Sequence, residues 1–509
     1  MIDSLTSLST FGFPMFTPHR GILILAMLFV VLNLIGLDRS SVVWVDEVTL
    51  NEPAKELALH GKFRSLVFSG YDGFDDAYFG QPPGQPLITA GVYRFCGFGI
   101  WQTRVPVVLF AACAVVALYF IALYFLNNQR LALLSSILFA LNPQFIHTAR
   151  SGRMDAQCLF FAFIGIFLFL RSSTGRRSYS TLCMAGLAIG VSGTTHPIGI
   201  VWALAIASLI LFTEKRLRVS RLIFFSLSSA IPAVAWLIVA LRTPAYFNSQ
   251  FLALITNHTA EGSIISRFIE EGRRYAIVYR AAPLLVIVLI SALIWFSLKY
   301  KSDTQKKRQL IILVAVPFAL ITVFMTKSGG SWFDMLHPVS MMMIVVGAFA
   351  GLFLSADVKH PTNSRQNISY LAVSLLLVNL IFAGIGARYI LLAYQWNERD
   401  YKTIAVPIRA MIPQGSVIFG TPEVWYAAEW AGASLRMRGQ PDARIHDFVI
   451  TKMADGIVSL PGFRKIAEVG KEFPAVFGRF KSSATDYRMV IWEASRRNHT
   501  FLQFTRFAD

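Results

Sequence analysis

Charged residues are scarce in this sequence, making up only 15% of its 509 positions, whereas a typical soluble domain carries about a quarter. Hydrophobic residues account for 55%, and the mean hydropathy is +0.55. Apolar runs of roughly 17–25 residues, the length that crosses a bilayer, recur along most of the chain. This composition excludes an ordinary soluble enzyme and predicts a polytopic α-helical membrane protein.

Cysteine and acidic residues are also few. The four cysteines show no paired spacing, so they predict neither a disulfide framework nor a thiolate metal site. Asp and Glu number 29 against 47 Lys and Arg, which gives a net charge of +18. In a membrane protein this excess is typical of basic cytoplasmic loops and contact with anionic lipid, so we predict no nucleic-acid partner.

The apolar runs predict about eleven transmembrane helices. They lie near residues 21–37, 106–126, 131–148, 156–170, 181–195, 197–212, 222–241, 283–298, 310–326, 338–355 and 369–392. Lys and Arg cluster in alternate short loops, which places those loops and the N-terminus in the cytoplasm. With an odd number of spans, residues 393–509 lie outside, in the periplasm of a Gram-negative cell. We therefore expect a multi-pass protein of the inner (plasma) membrane.

The chain changes character after residue 392. The tail is polar, and turn signals such as IPQGS and GTPE flank the strand candidate Val417–Phe419. A second strand is predicted at Tyr487–Trp492 and a helix at 423–432. We predict a small extracytoplasmic α/β domain at 393–509, following a transmembrane domain at 1–392 whose first outer loop spans 38–105.

The predicted helices carry almost no ionisable residues in their interiors. Ion-coupled transporters usually place such groups at mid-membrane, so their absence disfavours that class. Ionisable side chains gather instead in the outer loops and at outer helix ends, which predicts a reaction or binding site at the outer membrane surface. The acids are Asp46, Glu47 and Asp155, and the cations are Arg104, Arg150, Arg153, His196, Arg273, Arg274, Lys327 and His337.

The stretch VVWVDEVTLN places Asp46 and Glu47 side by side after the first apolar run. Such a pair is either part of an ordinary solvated loop or a functional group of the site, and its position alone does not decide between the two. The segment NEPAKELALHG that follows predicts an interfacial helix, with Asn51 as its cap, Pro53 in its first turn and Gly61 at its end. Residues 86–100 predict a second interfacial helix.

The order of these motifs resembles that of the GT-C fold glycosyltransferases, in particular the protein O-mannosyltransferases and aminoarabinose lipid A transferases. The resemblance covers roughly residues 15–395 and rests on three stretches, VDEVTLNEPAKEL, FGQPPGQPLITAGVYRFCGFGIWQTRVP and TARSGRMDAQ. In that family Lys precedes the Pro-Pro pair and Leu-Tyr follows it. This sequence has Gln81 and Gly84 there, which leaves a lysine–phosphate contact at that point without support.

The resemblance implies a membrane glycosyltransferase that moves a hexosyl or pentosyl unit, with inversion, from a polyprenyl-phosphate donor to an envelope glycolipid, polysaccharide or protein. It also implies that the carboxylate after the first helix acts as base, which in this chain is Asp46. Glu47 then orients Asp46 or shares the acceptor contact. Asp155 either contacts a substrate or pairs with Arg153.

A polyprenyl phosphate leaves as a stable anion, so one base and a set of cations to hold the phosphate suffice. The predicted phosphate ligands are Arg104, Arg150, Arg153, His196, Lys327 and His337. No cofactor is required, and no ligand spacing demands a divalent metal, although the acids leave room for one. The alternative functions are a lipid or polysaccharide transporter without transferase chemistry and a sensor with an outer ligand-binding domain.

Overall fold

The structure, a computed structural model, describes residues 18–172, 178–213, 218–258, 262–298, 304–325, 333–354, 363–476 and 486–495. Helices dominate it. They are α1 Pro18–Leu34, α2 Val45–His60, α3 Gly84–Cys96, α4 Ile100–Leu126, α5 Gln129–Ala140, α6 Pro143–Ala149, α7 Asp155–Ser172, α8 Ser178–Thr195, α9 Ile200–Thr213, α10 Arg218–Ala240, α11 Pro244–Phe247, α12 Ala253–His258, α13 Ile264–Val278, α14 Pro283–Leu298, α15 Thr304–Leu320, α16 Leu336–Leu354, α17 Asn363–Ile381, α18 Ala387–Gln395, α19 Lys402–Met411 and α20 Trp425–Trp430.

Five helical segments of the described chain are long and apolar enough to cross a membrane. They are Ile100–Leu126, Asp155–Ser172, Arg218–Ala240, Thr304–Phe324 and Tyr370–Gln395. A sixth is the pair α5 and α6, which is bent by 66° where Asn142 caps the helix that Pro143 begins. Shorter apolar helices lie at His19–Leu34, Pro197–Thr213, Pro283–Leu298 and Leu336–Leu352. Each run predicted to span is helical, while the total of about eleven spans stays a prediction.

Helix α2 begins earlier than the sequence pattern indicates. The predicted start was Asn51, whereas the helix starts at Val45 and includes Asp46 and Glu47 in its first turn. Asn51 lies inside the helix and donates from Nδ2 to the carbonyl of Glu47 at 2.6 Å, and Pro53 is also internal. The predicted end is confirmed, because Gly61 adopts the left-handed conformation (φ 68°) that favours glycine at a helix C-terminus.

The polar tail forms a five-stranded sheet. Its strands are β1 Val417–Gly420, β2 Ser434–Arg436, β3 Phe448–Lys452, β4 Phe463–Val469 and β5 Met489–Ala494, in the order β2-β1-β3-β5-β4. Strand β1 pairs in parallel with β2 and β3, and β5 pairs antiparallel with β3 and β4. Both predicted strands and the predicted helix are therefore confirmed, with shifts of a few residues. The domain boundary at residue 392 stays a prediction.

The sheet packs directly on helix α2 and on the start of helix α4. Val48 of α2 and Ile100 of α4 belong to the same buried cluster as Ile418 and Trp425 of the tail. Burying these apolar side chains together fixes the sheet and helix α20 against the start of α2. The polar side chains at that end of α2 are consequently positioned by residues that lie far away in the sequence.

Candidate active site

Asp46 is the acidic residue that remains accessible in the first turn of α2. Its side chain is 39% exposed, and its carboxylate forms an ion pair with Arg153, in the loop before α7. The N-terminus of a helix favours a negative charge, because the backbone N–H groups there point outward unpaired. Asp46 is therefore stabilised as an anion and can still be reached by a substrate.

The loop that carries Arg153 is held against α2 by a glycine. Gly152 has a φ of +64°, and a Cβ at this position would lie 3.0 Å from Cγ of Glu47 and from Cγ2 of Thr103. Its carbonyl accepts a hydrogen bond from Nδ2 of Asn51 at 3.0 Å. Only glycine permits both the conformation and this close approach, so the loop sequence itself brings Arg153 to Asp46.

Arg153 links Asp46 to a second, buried acid. Its Nε donates to Oδ2 of Asp155 at 2.8 Å, and its guanidinium lies 3.8 Å from the ring centroid of Phe333 and 5.4 Å from that of Trp44. The ion pair and the aromatic faces fix the guanidinium in one plane. The predicted pairing of Arg153 with Asp155 is therefore present, together with a pairing to Asp46.

Asp155, His196 and Asp334 converge on one point. One ligand atom from each lies within 4.8 Å of the others, and all three residues are buried. The Nδ1 of His196 accepts from the backbone N–H of Ile198, which leaves Nε2 facing Oδ1 of Asp155 at 3.8 Å. Oδ1 of Asp155 has no hydrogen-bond partner within the described ranges. Because Nδ1 accepts a hydrogen bond, Nε2 of His196 carries the ring proton, and the ligand atoms left for a divalent cation such as Mn²⁺ or Mg²⁺ are those of the two carboxylates.

Asp334 was not predicted as a site residue. It comes from the stretch FDML before α16, and burial together with the nearby charge of Asp155 raises its pKa to about 7. Three residues later, Nδ1 of His337 accepts from Nε1 of Trp202 at 2.8 Å, and its Nε2 has no partner among the described residues. The tautomer assigned by this bond leaves Nε2 as a buried N–H donor beside the Asp155 cluster.

Glu47 points the other way and is fully buried. Arg104 donates two hydrogen bonds to its carboxylate, from Nε at 2.9 Å and from Nη2 at 2.8 Å, and both side chains are 0% exposed. The hydroxyl of Tyr426, in helix α20 of the tail, donates to Oε1 of Glu47 at 3.0 Å and lies 2.8 Å from Oγ1 of Thr103. In this arrangement Glu47 and Arg104 hold α2, α4 and the tail together, and neither faces a substrate.

Arg150 is also enclosed. Its guanidinium donates to the backbone carbonyls of Asn33, Ile35, Gly36 and Ser40, the segment that ends α1 and leads into α2. Since these contacts occupy the guanidinium, we leave Arg150, like Arg104, out of the proposed phosphate site. Lys327 lies outside the described residues. Of the predicted phosphate ligands, the structure brings Arg153, His196 and His337 together around Asp155.

The Pro-Pro loop contributes a close contact rather than a cation. A Cβ at Gly84 would lie 2.7 Å from the carbonyl oxygen of Thr194, just before His196. The next residue, Gln85, donates from Nε2 to Oδ1 of Asn51 at 2.7 Å. Gly84 and Gln85 therefore join α3 to the segment that bears His196 and to α2.

Helix α2 carries a further polar cluster on its buried side. Lys55 forms ion pairs with Glu56 and with Glu429 of helix α20, at 3.3 and 2.5 Å. Glu52 accepts from the backbone N–H of Leu66 at 2.9 Å, and burial raises its pKa to about 8. The ion pair between Lys55 and Glu429 is a second attachment between α2 and the tail, away from Asp46.

Residues 80–240 match the family model described as dolichyl-phosphate-mannose-protein mannosyltransferase. A curated relative, dolichyl-phosphooligosaccharide-protein glycotransferase 2 of Archaeoglobus fulgidus, is 27% identical over 228 residues. That match covers 42% of this chain and 36% of the relative. The matched family region contains Arg153, Asp155 and His196, whereas Asp46 lies before it.

Two kinds of solved structure share the architecture. ArnT from Cupriavidus metallidurans in the apo state is 14% identical, with a TM-score of 0.61 over 93% of this chain and 98% of that chain. Its structure bound to undecaprenyl phosphate has a TM-score of 0.59. The oligosaccharyltransferase AglB from Archaeoglobus fulgidus, in complex with an inhibitory peptide and a dolichol-phosphate, is 10% identical, with a TM-score of 0.57 over 87% of this chain and 70% of that chain. The predicted resemblance to GT-C fold glycosyltransferases is confirmed.

Proposed function

We propose that this protein is an inverting glycosyltransferase that moves a sugar from a polyprenyl-phosphate donor to an acceptor at the outer face of the membrane. The observation that carries the proposal is the accessible carboxylate of Asp46 beside Arg153, with Asp155, His196 and His337 gathered behind them. The fold shared with ArnT and AglB supports it, because both were solved with polyprenyl-type phosphates bound.

The chemistry needs one base. Asp46 takes the proton from the acceptor hydroxyl, the freed oxygen attacks the anomeric carbon, and the bond from that carbon to the phosphate oxygen breaks. The phosphate leaves with the electron pair and needs no general acid, in contrast to the alkoxide released by a glycosidase. Attack opposite the leaving group inverts the anomeric centre. Arg153 and the N–H groups of His196 and His337 are the donors we assign to the phosphate.

A divalent cation fits the same cluster. Asp155 and Asp334 would hold it, with the N–H of His196 beside them, and the vacant Oδ1 of Asp155 is the observation that favours one. When bound, such an ion supplies positive charge beside the leaving phosphate. Its charge would also keep Asp334 ionised at neutral pH, where a pKa raised to about 7 otherwise leaves the carboxyl only partly ionised.

The orientation in the membrane is part of the proposal. We place the N-terminus in the cytoplasm and the tail on the outer face, since Lys and Arg cluster in alternate loops. Alkaline phosphatase fused after Asp509 is expected to be active, and the same reporter fused after Gly175 inactive, with green fluorescent protein giving the reverse pattern. Equal reporter activity at both positions would contradict this topology.

The proposed activity is tested with the purified full-length protein in nanodiscs. The protein is incubated with radiolabelled polyprenyl-phosphate sugars and with envelope extract from a strain that lacks the gene. We expect one donor sugar to pass to an extract component, which mass spectrometry shows as a sugar increment missing from the deletion strain. NMR of the product should show an inverted anomeric centre. Donor that accumulates in the deletion strain, with no transfer by the purified protein, would favour the transporter alternative.

The same assay tests the cation. Chelation with EDTA is expected to lower transfer if Asp155 and Asp334 hold an ion, and added Mn²⁺ or Mg²⁺ should restore it. Transfer that is unchanged by EDTA would mean that Arg153, His196 and His337 bind the phosphate without a metal ion. The acceptor, whether lipid A or its core, a surface polysaccharide or a protein Ser/Thr, is identified by the extract fraction that receives the label.

A further inference from the structure

A cavity of about 640 Å³ lies between the membrane helices and the sheet, beside the start of α2. Residues 40–44 line one wall, and small apolar residues of the segment 383–391 line another. Its charged lining consists of Arg388, Arg399, Lys452 and Glu423. We refer to it as the arginine cavity. It is built from five parts of the chain, at 40–44, 143–147, 383–399, 423 and 452, that are distant in sequence and meet only in the fold.

The two arginines of this cavity carry charge that no acid balances. Nη1 of Arg388 donates to Oγ of Ser40 at 2.9 Å, and its Nε is enclosed without a hydrogen-bond partner in the part of the chain that is described. Nε of Arg399 donates to the amide oxygen of Gln395 at 2.7 Å. No described carboxylate lies within 4.0 Å of either guanidinium.

The remaining charged groups do not offset them. Lys452 and Glu423 form an ion pair with each other, so their combined net charge is close to zero. Arg388 lies within electrostatic range of Arg399 and Arg104, so like charges repel across the cavity. Arg104 is already neutralised by Glu47. Burying two unpaired guanidinium groups costs free energy that an anionic ligand would recover.

An aromatic wall separates the arginine cavity from the Asp46 cluster. Trp44 lines the cavity, and its ring centroid lies 5.6 Å from that of Phe333. The imidazole of His147, on the cavity side, stacks on Phe333 at 5.7 Å. The guanidinium of Arg153 lies against Phe333 as well. Asp46 and Asp155 do not line the cavity, so its two arginines are a group separate from the one assigned to the donor phosphate.

We propose that the arginine cavity binds a phosphate group, carried by a lipid or free in solution. The planar guanidinium groups of Arg388 and Arg399, residues that both line the cavity, suit bidentate contacts with phosphate oxygens. The apolar wall at 383–391 can accommodate the lipid beyond the phosphate, while the polar wall faces the sheet. This site is independent of which sugar is transferred.

The test uses the full-length protein in phosphatidylcholine nanodiscs. Undecaprenyl phosphate is titrated and followed by native mass spectrometry, with undecaprenol as the uncharged control, and inorganic phosphate is titrated by calorimetry. The double variant Arg388→Gln, Arg399→Gln is compared with Arg409→Gln, which removes one positive charge from an exposed position of α19. Native mass spectrometry counts the bound lipids. We expect the wild type and Arg409→Gln to bind a second undecaprenyl phosphate besides the one at the donor site, and the double variant to bind this second molecule about tenfold more weakly or worse.

The two probes distinguish the source of the phosphate. If the double variant binds only undecaprenyl phosphate more weakly, the ligand of the cavity is a lipid headgroup. If it binds inorganic phosphate more weakly, the ligand is a soluble anion. Affinities of the double variant within twofold of the wild type for both probes would overturn the proposal. If the double variant fails to fold, the wild-type titration is repeated at rising NaCl, since screening must weaken a site built on charge. Binding that does not change with salt would also overturn it.

Discussion

Replacing Asp46 with asparagine is expected to lower sugar transfer by about 10²–10⁴-fold, the usual contribution of a general base. Asparagine keeps the shape of the side chain and removes its ability to take a proton. Arg153 keeps its contact with Asp155, so the surrounding structure should persist. The effect is expected in kcat more than in KM for the donor, because the base acts on the acceptor. Initial rates with a labelled donor, at donor concentrations above and below KM, provide the measurement.

A matched control is Asp442→Asn. Asp442 pairs with Arg444 on the tail, and no contact described for it involves the Asp46 cluster. It therefore reports the effect of one Asp-to-Asn change on yield and stability alone. If Asp46→Asn transfers sugar within about twofold of the wild type, with the control equally active, Asp46 is not the base. Asp155 would then be the acid to test next.

Replacing Glu47 should instead destabilise the fold. Glu47→Ala leaves the guanidinium of Arg104 buried without its anion, and breaking a buried ion pair from one side costs about 3–5 kcal/mol. The hydroxyl of Tyr426 loses an acceptor at the same time. We expect a clearly lower unfolding temperature in detergent or nanodiscs, measured before any assay of transfer. Asp46→Asn, one residue away, should leave that temperature almost unchanged.

The double variant Glu47→Met, Arg104→Met is the control for this interpretation. Removing both charges leaves no unpaired ion, so stability should recover much of what Glu47→Ala loses. A Glu47→Ala protein that melts like the wild type yet transfers no sugar would contradict the structural role. In that case Glu47 would belong with Asp46 in the chemistry.

Asp46 and Glu47 show why the sequence predicts the region better than the individual roles. Adjacent residues of a helix point about 100° apart, so one acid faces the accessible side and the other the interior. The sequence predicts a helix that starts only after these two acids, because Asn51 and Pro53 are residues typical of a helix N-terminus. The true start has Trp44 as its N-cap residue, without a side-chain capping bond, and therefore gives no capping signal.

Other parts of the site depend on contacts that no local pattern encodes. The apolar runs predict the membrane helices, since length and hydropathy are local properties. Tyr426, by contrast, reaches Glu47 across 379 positions, and Asp334 meets Asp155 and His196 only in the fold. Asp334 was recognisable as an acid just before an apolar run, but its neighbours were not. Arg388 and Arg399 also meet only in the fold, so the cavity that they share could not be predicted from the sequence.

The bond between Tyr426 and Glu47 has a consequence for biosynthesis. Helix α2 leaves the ribosome well before Tyr426, which follows Glu47 by 379 residues. Until the tail has been synthesised and has packed on α2, the buried end of that helix lacks the partners that hold it. A nascent chain in the membrane therefore lacks one contact of the helix that bears Asp46 until the tail has packed on it.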